Sequence, residues 1–268
     1  MTFDQYLDAY ERQWNISPRR PLRVQDYQDR TLHTTWNISY DRLQKDDPNA
    51  AQMLRLLAYF DNQEVWYDLL CMGLSDDSPE WLQTILEGRT NFESTMGTLV
   101  DYCLVEVQHT SQSYSMHNCV HDWTLGELNK TISPGLYWYV FDCVAKGIKK
   151  DDWDVLAHVT YSSLCQHALR LTHSRFEKCV GLMVGLVGRE HKATDIANML
   201  KEQVQLVAAE QMYMRALAGY EKALGPDHTS TLDTVHNLGN LYRSLGKLDE
   251  AEQMYMRALA GREKALGP

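Results

Sequence analysis

The chain has 268 residues, 44% of them hydrophobic, a formal net charge of −10 and a pI near 5.4. That length allows two small domains, or one domain and the start of a repeat array, with enough apolar content for a core. The acidity excludes a broad electrostatic footprint for nucleic acid, whose binding domains have pI above about 9. No run approaches about 18 continuous apolar residues, so no membrane span is expected.

Taken in chain order, Thr2 to Gln5 has the form of a capping box and predicts a short helix to Trp14. No basic stretch leads into an apolar run there, so no secretory signal is read, and a cytoplasmic location is expected. Ser17–Val24 reads as a linker, with Arg19, Arg20 and Arg23 solvated around Pro18 and Pro21. A helix from about Asp29 to Gln44 would place Leu32, Trp36, Tyr40 and Leu43 on one face. Asp46-Asp47-Pro48 breaks it and opens a second helix, apolar nearly all round through Met53, Leu54, Leu56, Leu57, Tyr59 and Phe60, hence a core helix. Val65–Met72 and Pro79–Leu86 predict short helices, and Phe92–Cys103 another, with Phe92, Met96, Leu99 and Cys103 on one stripe. The period then changes. Leu104–Gln108 is strand-like, Thr110–Ser113 a turn, Tyr114–Met116 a returning strand, and Asn118–Asn129 helical again. Helices, a small hairpin and a closing helix describe a winged-helix arrangement over 31–130, after an N-terminal helix and linker over 1–30. A helical connector over 131–192 follows, with Tyr137, Trp138, Tyr139 and Phe141 read as buried.

The last third repeats itself. Ala209–Pro226 and Ala251–Pro268 agree at seventeen of eighteen positions, differing only at Tyr220 against Arg262, and the offset, 251 minus 209, is 42 residues. A period of roughly 20–50 residues means a stacked repeat array. One complete unit runs from Thr229 to Pro268: a helix to Leu245, a turn at Gly246, and a second helix from Lys247. Gly239 and Ala251 let the two backbones approach while Tyr242 and Tyr255 fill the space. The preceding unit, from about Ala193, is degenerate in its first helix, with Ile196, Ala197 and Leu200 at the places of Leu238, Gly239 and Tyr242, and Val204 at that of Gly246. An array needs about three units for stability. Either the chain is a fragment or truncated product, or the helices before Ala193 supply the missing packing. The pattern resembles the tetratricopeptide repeat in its 42-residue form, and Leu224-Gly225-Pro226-Asp227-His228 resembles the linker of kinesin light chains. The fold class expected is mostly α: a winged-helix domain with a small β-hairpin, a helical connector, then an α-solenoid over 193–268.

The first half carries a second resemblance. Leu32–Leu43 (LHTTWNISYDRL), Leu56–Asn62 (LLAYFDN) and Tyr114–Trp123 (YSMHNCVHDW) resemble the winged-helix region of NB-ARC proteins. Followed by kinesin-light-chain-like repeats, the whole resembles the fungal NB-ARC/tetratricopeptide class of STAND receptors. In that family a Met-His-Asp motif brings its histidine to the β-phosphate of ADP. Met116-His117-Asn118 stands in its place, so the resemblance makes His117 an ADP-sensing position wherever an NTPase domain is present, in a longer parent or in trans. Asn118 departs from the motif by losing the charge. The phosphate-binding loop GxxxxGK[ST] is absent from this sequence, so no nucleotide cofactor is expected on this chain alone.

Other chemistries find little footing. His117, Cys119 and His121, or Cys165 and His167 with His173 and Cys179, lack the paired spacings of a zinc site, and no metal is expected. The six cysteines, Cys71, Cys103, Cys119, Cys143, Cys165 and Cys179, are read as reduced, buried thiols. The acceptor sequons at Asn15, Asn37 and Asn129 have no meaning without secretion. No nucleophile–base pair supports an enzyme, and no catalytic residue is assigned. The expected functional surface is the polar face of the complete unit's first helix, Asp233, His236, Asn237, Asn240 and Arg243. In the tetratricopeptide family, asparagines at matching positions bond the backbone of an extended peptide. A protein or peptide partner follows, as part of a STAND-type receptor or, alternatively, of a free-standing adaptor related to kinesin light chains. The latter would carry an upstream heptad coiled coil, which is not found.

Overall fold

Asp47 starts a helix in the way its sequence neighbourhood predicts: its carboxylate accepts from the Ala50 amide at 2.9 Å, with Pro48 in the first turn. The structure, a computed structural model, describes residues 24–148, 157–173, 176, 188–203 and 205–266. The expected N-terminal helix, all of the Arg-Pro linker before Val24, Cys179 and Val204 lie outside the described residues. Among those described, α1 spans Val24–Asp46, α2 Pro48–Leu57, α3 Tyr67–Gly73, α4 Glu80–Leu86, α5 Arg89–Asp101, α6 Asn118–Trp123, α7 Pro134–Ile148, α8 Ala157–Leu171, α9 Glu190–Glu202, α10 Leu206–Leu224, α11 Thr229–Ser244 and α12 Leu248–Leu266. Two short strands, β1 (Glu106–Gln108) and β2 (Ser113–Ser115), form an antiparallel hairpin with Val107 opposite Tyr114. The chain divides into two compact units. Of the described residues, one holds Val24–Ala58 with Asn62–Tyr67 and Asp77–Lys130; the other holds Tyr59–Asp61, Asp68–Asp76 and those from Thr131 on.

In the first unit α2 is the core helix, packed against α1, α4 and α5. Ala50, Met53, Leu54 and Leu56 are fully buried, each large one contributing about 1.5–3 kcal/mol. Trp123 closes the unit: its indole donates to Asn37 Oδ1 at 2.9 Å, and the rings of Trp36 and Tyr40 lie 5.7 and 6.2 Å away. Several expectations are corrected here. Leu32 is 46% exposed, so the buried stripe of α1 begins after it. Val65 is not helical; it exchanges backbone hydrogen bonds with Tyr114 and adds an isolated bridge to β2. Glu64, at φ 51°, turns the chain into that pairing. Cys103 lies beyond α5 in the left-handed region, φ 55°, and is exposed. The helix from Asn118 does not run unbroken to Asn129: from Thr124 to Leu128 it widens into a π turn. There the side chain of Asn129, fully buried, donates to the carbonyls of Arg55 and Thr124.

In the second unit α7 buries Tyr137, Trp138, Tyr139 and Phe141, as the aromatic run predicts. Gly73 is held close to α7: a methyl there would lie 2.3 Å from Cys143 Sγ. Burial pushes the Cys143 thiol up, out of reach of ionisation. Cys165 is buried too, whereas Cys119 is exposed, which corrects the reading of uniformly buried thiols. The repeat helices continue this unit. α9 packs on α7 and α8, α10 on α9, α11 on α10 and α12 on α11. α7 and α8 thus give the degenerate unit's first helix packing partners on the side away from α10 and α11 in chain order.

Candidate peptide-binding face

The sequence of α11 sorts itself at helical spacing. Leu232, Val235, Leu238 and Leu241 are buried, while Asp233, His236, Asn237, Asn240 and Arg243 stand three or four residues apart on the other side, exposed or half-buried. The helix is positioned by its linker. Gly225, at φ 91°, makes the left-handed step that glycine takes without strain, and its carbonyl accepts from the Thr231 hydroxyl at 2.8 Å. His228 is the N-cap, its Nδ1 accepting from the Ser230 amide at 3.2 Å. At the other end Gly246, at φ 73°, closes α11 and turns the chain into α12.

The two helices of the unit touch where the small residue permits. A methyl on Gly239 would lie 2.7 Å from the Tyr255 ring, and one on Gly261 would lie 2.4 Å from Leu232 Cδ2. The earlier hairpin repeats the second contact with Gly219 against the side chain of Glu190. Glu190 is a buried acid in a leucine's place, and its Oε1 accepts from the Gly188 amide at 3.1 Å.

The five expected residues are not equivalent. Asp233 is ion-paired with Arg262 at 2.7 Å. The His236 ring lies 5.5 Å from that of Tyr255. Asn240 Oδ1 accepts from the Tyr255 hydroxyl at 2.9 Å, which leaves its amide hydrogens as donors. Asn237 is half-buried with no side-chain hydrogen bond among the described residues, and Arg243 is exposed. The structure therefore brings all five onto one face, with Asn237 and Arg243 the least committed. An amide donates and accepts like a peptide group, and a guanidinium takes a carboxylate in a fork.

Sequence reasoning missed the counterpart of this face one repeat earlier. Stepping back 42 residues gives His191, Thr194, Asp195, Asn198 and Lys201 on α9, exposed or half-buried. Asn198 accepts from the Tyr213 hydroxyl just as Asn240 accepts from Tyr255. The offset that found the second helices would have found this pair in the first. Burial, and secondarily the Glu202 carboxylate, pushes the Tyr213 hydroxyl up to about 12. Burial also raises Tyr220, which the carboxylate of Glu190 reinforces.

Residues 190–264 match the Tetratricopeptide repeat. The C-terminal region is of tetratricopeptide type, and such repeats mediate protein–protein interaction as scaffolds that are typically non-catalytic. Residues 41–132 match a second family, described as Domain of unknown function (DUF7779). Neither curated proteins nor solved structures give a match.

The remaining sequence candidates fall elsewhere. His117 is exposed and caps α6, its Nδ1 accepting from the Cys119 amide at 3.3 Å. Asn62 holds the neighbours of His117: its amide donates to the Met116 carbonyl and to Asn118 Oδ1 at 2.9 and 2.6 Å. His167 is buried and accepts from the Asp61 amide at 3.1 Å. Among the described residues no group of three or more His, Cys, Asp or Glu is placed to hold a metal, and no helix is long and apolar enough to cross a membrane.

Proposed function

We propose that this chain is the interaction module of a STAND-type signalling or incompatibility receptor, and that its tetratricopeptide region binds an extended segment of a protein partner through Asp233, His236, Asn237, Asn240 and Arg243. The observation that carries the reading is the sorted face of α11, inside the residues matched by the tetratricopeptide family. The donors of Asn237 and Asn240 would take the partner's backbone, and Arg243 an acidic group on it. The region over 31–130 acts in this reading as a winged helix, coupling the repeats to an NTPase domain in a longer parent or in trans. His117 then faces that domain's nucleotide, and the setting is cytoplasmic. A second reading, a free-standing adaptor related to kinesin light chains, draws on the linker, where Gly225 and His228 set the start of α11.

The test is a selection from a random-sequence peptide display library against the purified chain, with each selected peptide re-measured on Asn237→Ala/Arg243→Ala. Peptides that lose at least about tenfold in affinity, a change of about 1.4 kcal/mol, support the face. Peptides that bind the double variant equally well contradict it.

A further inference from the structure

The near-identity of α10 and α12 provides an internal control: the same side chains meet different surroundings. Leu217 on α10 is 6% exposed, and its equivalent Leu259 on α12 is 53% exposed. Met212 and Tyr213 are fully buried, while Met254 and Tyr255 are only half-buried. Leu206 is half-buried, and Leu248 is 66% exposed. The sequence is not the cause, because all four residue types are the same in both helices. α12 has α11 before it as α10 has α9 before it. What α10 has in addition is the hairpin that follows it.

Two carboxylates mark the register of that following hairpin. Glu210 on α10 takes the ammonium of Lys247 at 3.3 Å, and Glu221 takes the guanidinium of Arg257. Both cations belong to the next unit, one at its turn and one on its second helix. The same positions on α12 are Glu252 and Glu263, and both are exposed. α12 thus repeats the apolar residues and both acids of a stacking interface whose other half is known from within the chain.

We propose that the outer face of α12, Leu248, Glu252, Leu259 and Glu263, is a stacking site for a further helix hairpin of tetratricopeptide type, one that carries basic residues where this unit carries Lys247 and Arg257. Charge selects this occupant over a second copy meeting face to face, which would bring two more carboxylates to a surface that already holds two. Exposed apolar residues in a stripe are the expected mark of such a site, since terminal repeats that end an array have a polar outer face.

The probe is the full chain extended after Pro268 by one further copy of residues 227–268, which preserves the period. Stacking predicts a single melting transition, raised by about 5 °C or more, and backbone amides of 251–262 exchanging at least about tenfold more slowly. Glu252→Lys/Glu263→Lys should remove most of the gain, and reversing the two basic residues of the added copy to Glu should restore it. These variants change exposed side chains, so the parent fold is retained. Three results would each overturn the proposal: an added copy that melts by itself without protecting α12, a gain indifferent to the charge reversals, or an unextended chain that is already a dimer dissociated by Leu259→Glu.

Discussion

The Tyr255 hydroxyl donates to Asn240 Oδ1 at 2.9 Å, joining the second helix of the complete repeat to the polar face of the first. The same bond joins Tyr213 to Asn198 one repeat earlier, so a residue that looks like part of the binding face also holds its hairpin together. The two copies differ in burial, since Tyr213 is fully buried and Tyr255 only half. Asn198→Ala should therefore cost about 1–3 kcal/mol by stranding a buried hydroxyl, and Asn240→Ala about 1 kcal/mol or less. Urea titration of the two variants checks the order.

Alkaline pH should act through the same tyrosine. An unfolded tyrosine ionises near 10, and Tyr213 in the fold ionises near 12, so the native state favours the neutral form. Stability linked to Tyr213 is fully present below pH 10 and is lost as pH rises through 12. Tyr213→Phe should flatten that slope between pH 10 and 12, measured as the urea midpoint at each pH.

Gly239 sets how closely the hairpin closes. Ala197 occupies its place in the earlier repeat, which shows that the hairpin tolerates one methyl. Gly239→Ala gains about 1 kcal/mol of helix propensity against the contact with the Tyr255 ring, so its net effect should be within about 1 kcal/mol. Gly239→Val adds a branched side chain without that gain and should cost about 2–3 kcal/mol. Thermal melts of the pair separate the two effects.

Duplicated residues take different partners. Arg257 pairs with half-exposed Glu221, whereas its equivalent Arg215 donates to the Tyr137 hydroxyl at 2.7 Å and to the Leu171 carbonyl at 3.3 Å. Arg257→Ala should cost about 1 kcal/mol or less and the loss should fade with added salt. Arg215→Ala removes a charged donor from a buried hydroxyl and should cost about 2–3 kcal/mol at any salt concentration.

His117 is an N-cap, and this role is separable from nucleotide sensing. His117→Ala should cost about 1 kcal/mol, and His117→Asn should keep most of it, because asparagine also caps. Calorimetric titration of the folded chain with ADP or ATP should give no binding heat, since the phosphate-binding loop is missing. Micromolar binding would contradict that expectation.

The parts of this fold that the sequence made legible are those governed by local chemistry or by repetition. The 42-residue offset placed α10 and α12, Gly246 marked the turn, and Gly239 with Tyr255 marked the close contact. What escaped was long-range or lay against local preference. Val65 pairs with Tyr114 across half a unit, and a short apolar run of its kind is ambiguous between helix and strand. Cys103 and Glu64 adopt positive φ, which their residue types rarely take. The candidate face was legible as a spacing on α11. Its internal commitments, Asp233 to Arg262 and Asn240 to Tyr255, depend on the neighbouring helix and were not.

Whether the face of α11 takes an extended partner can be read residue by residue from hydrogen exchange of the full chain with and without a display-selected peptide. Exchange should slow across 233–243, with no such protection in Asn237→Ala/Arg243→Ala. Protection confined to residues 41–132, or to α12 alone, would contradict it.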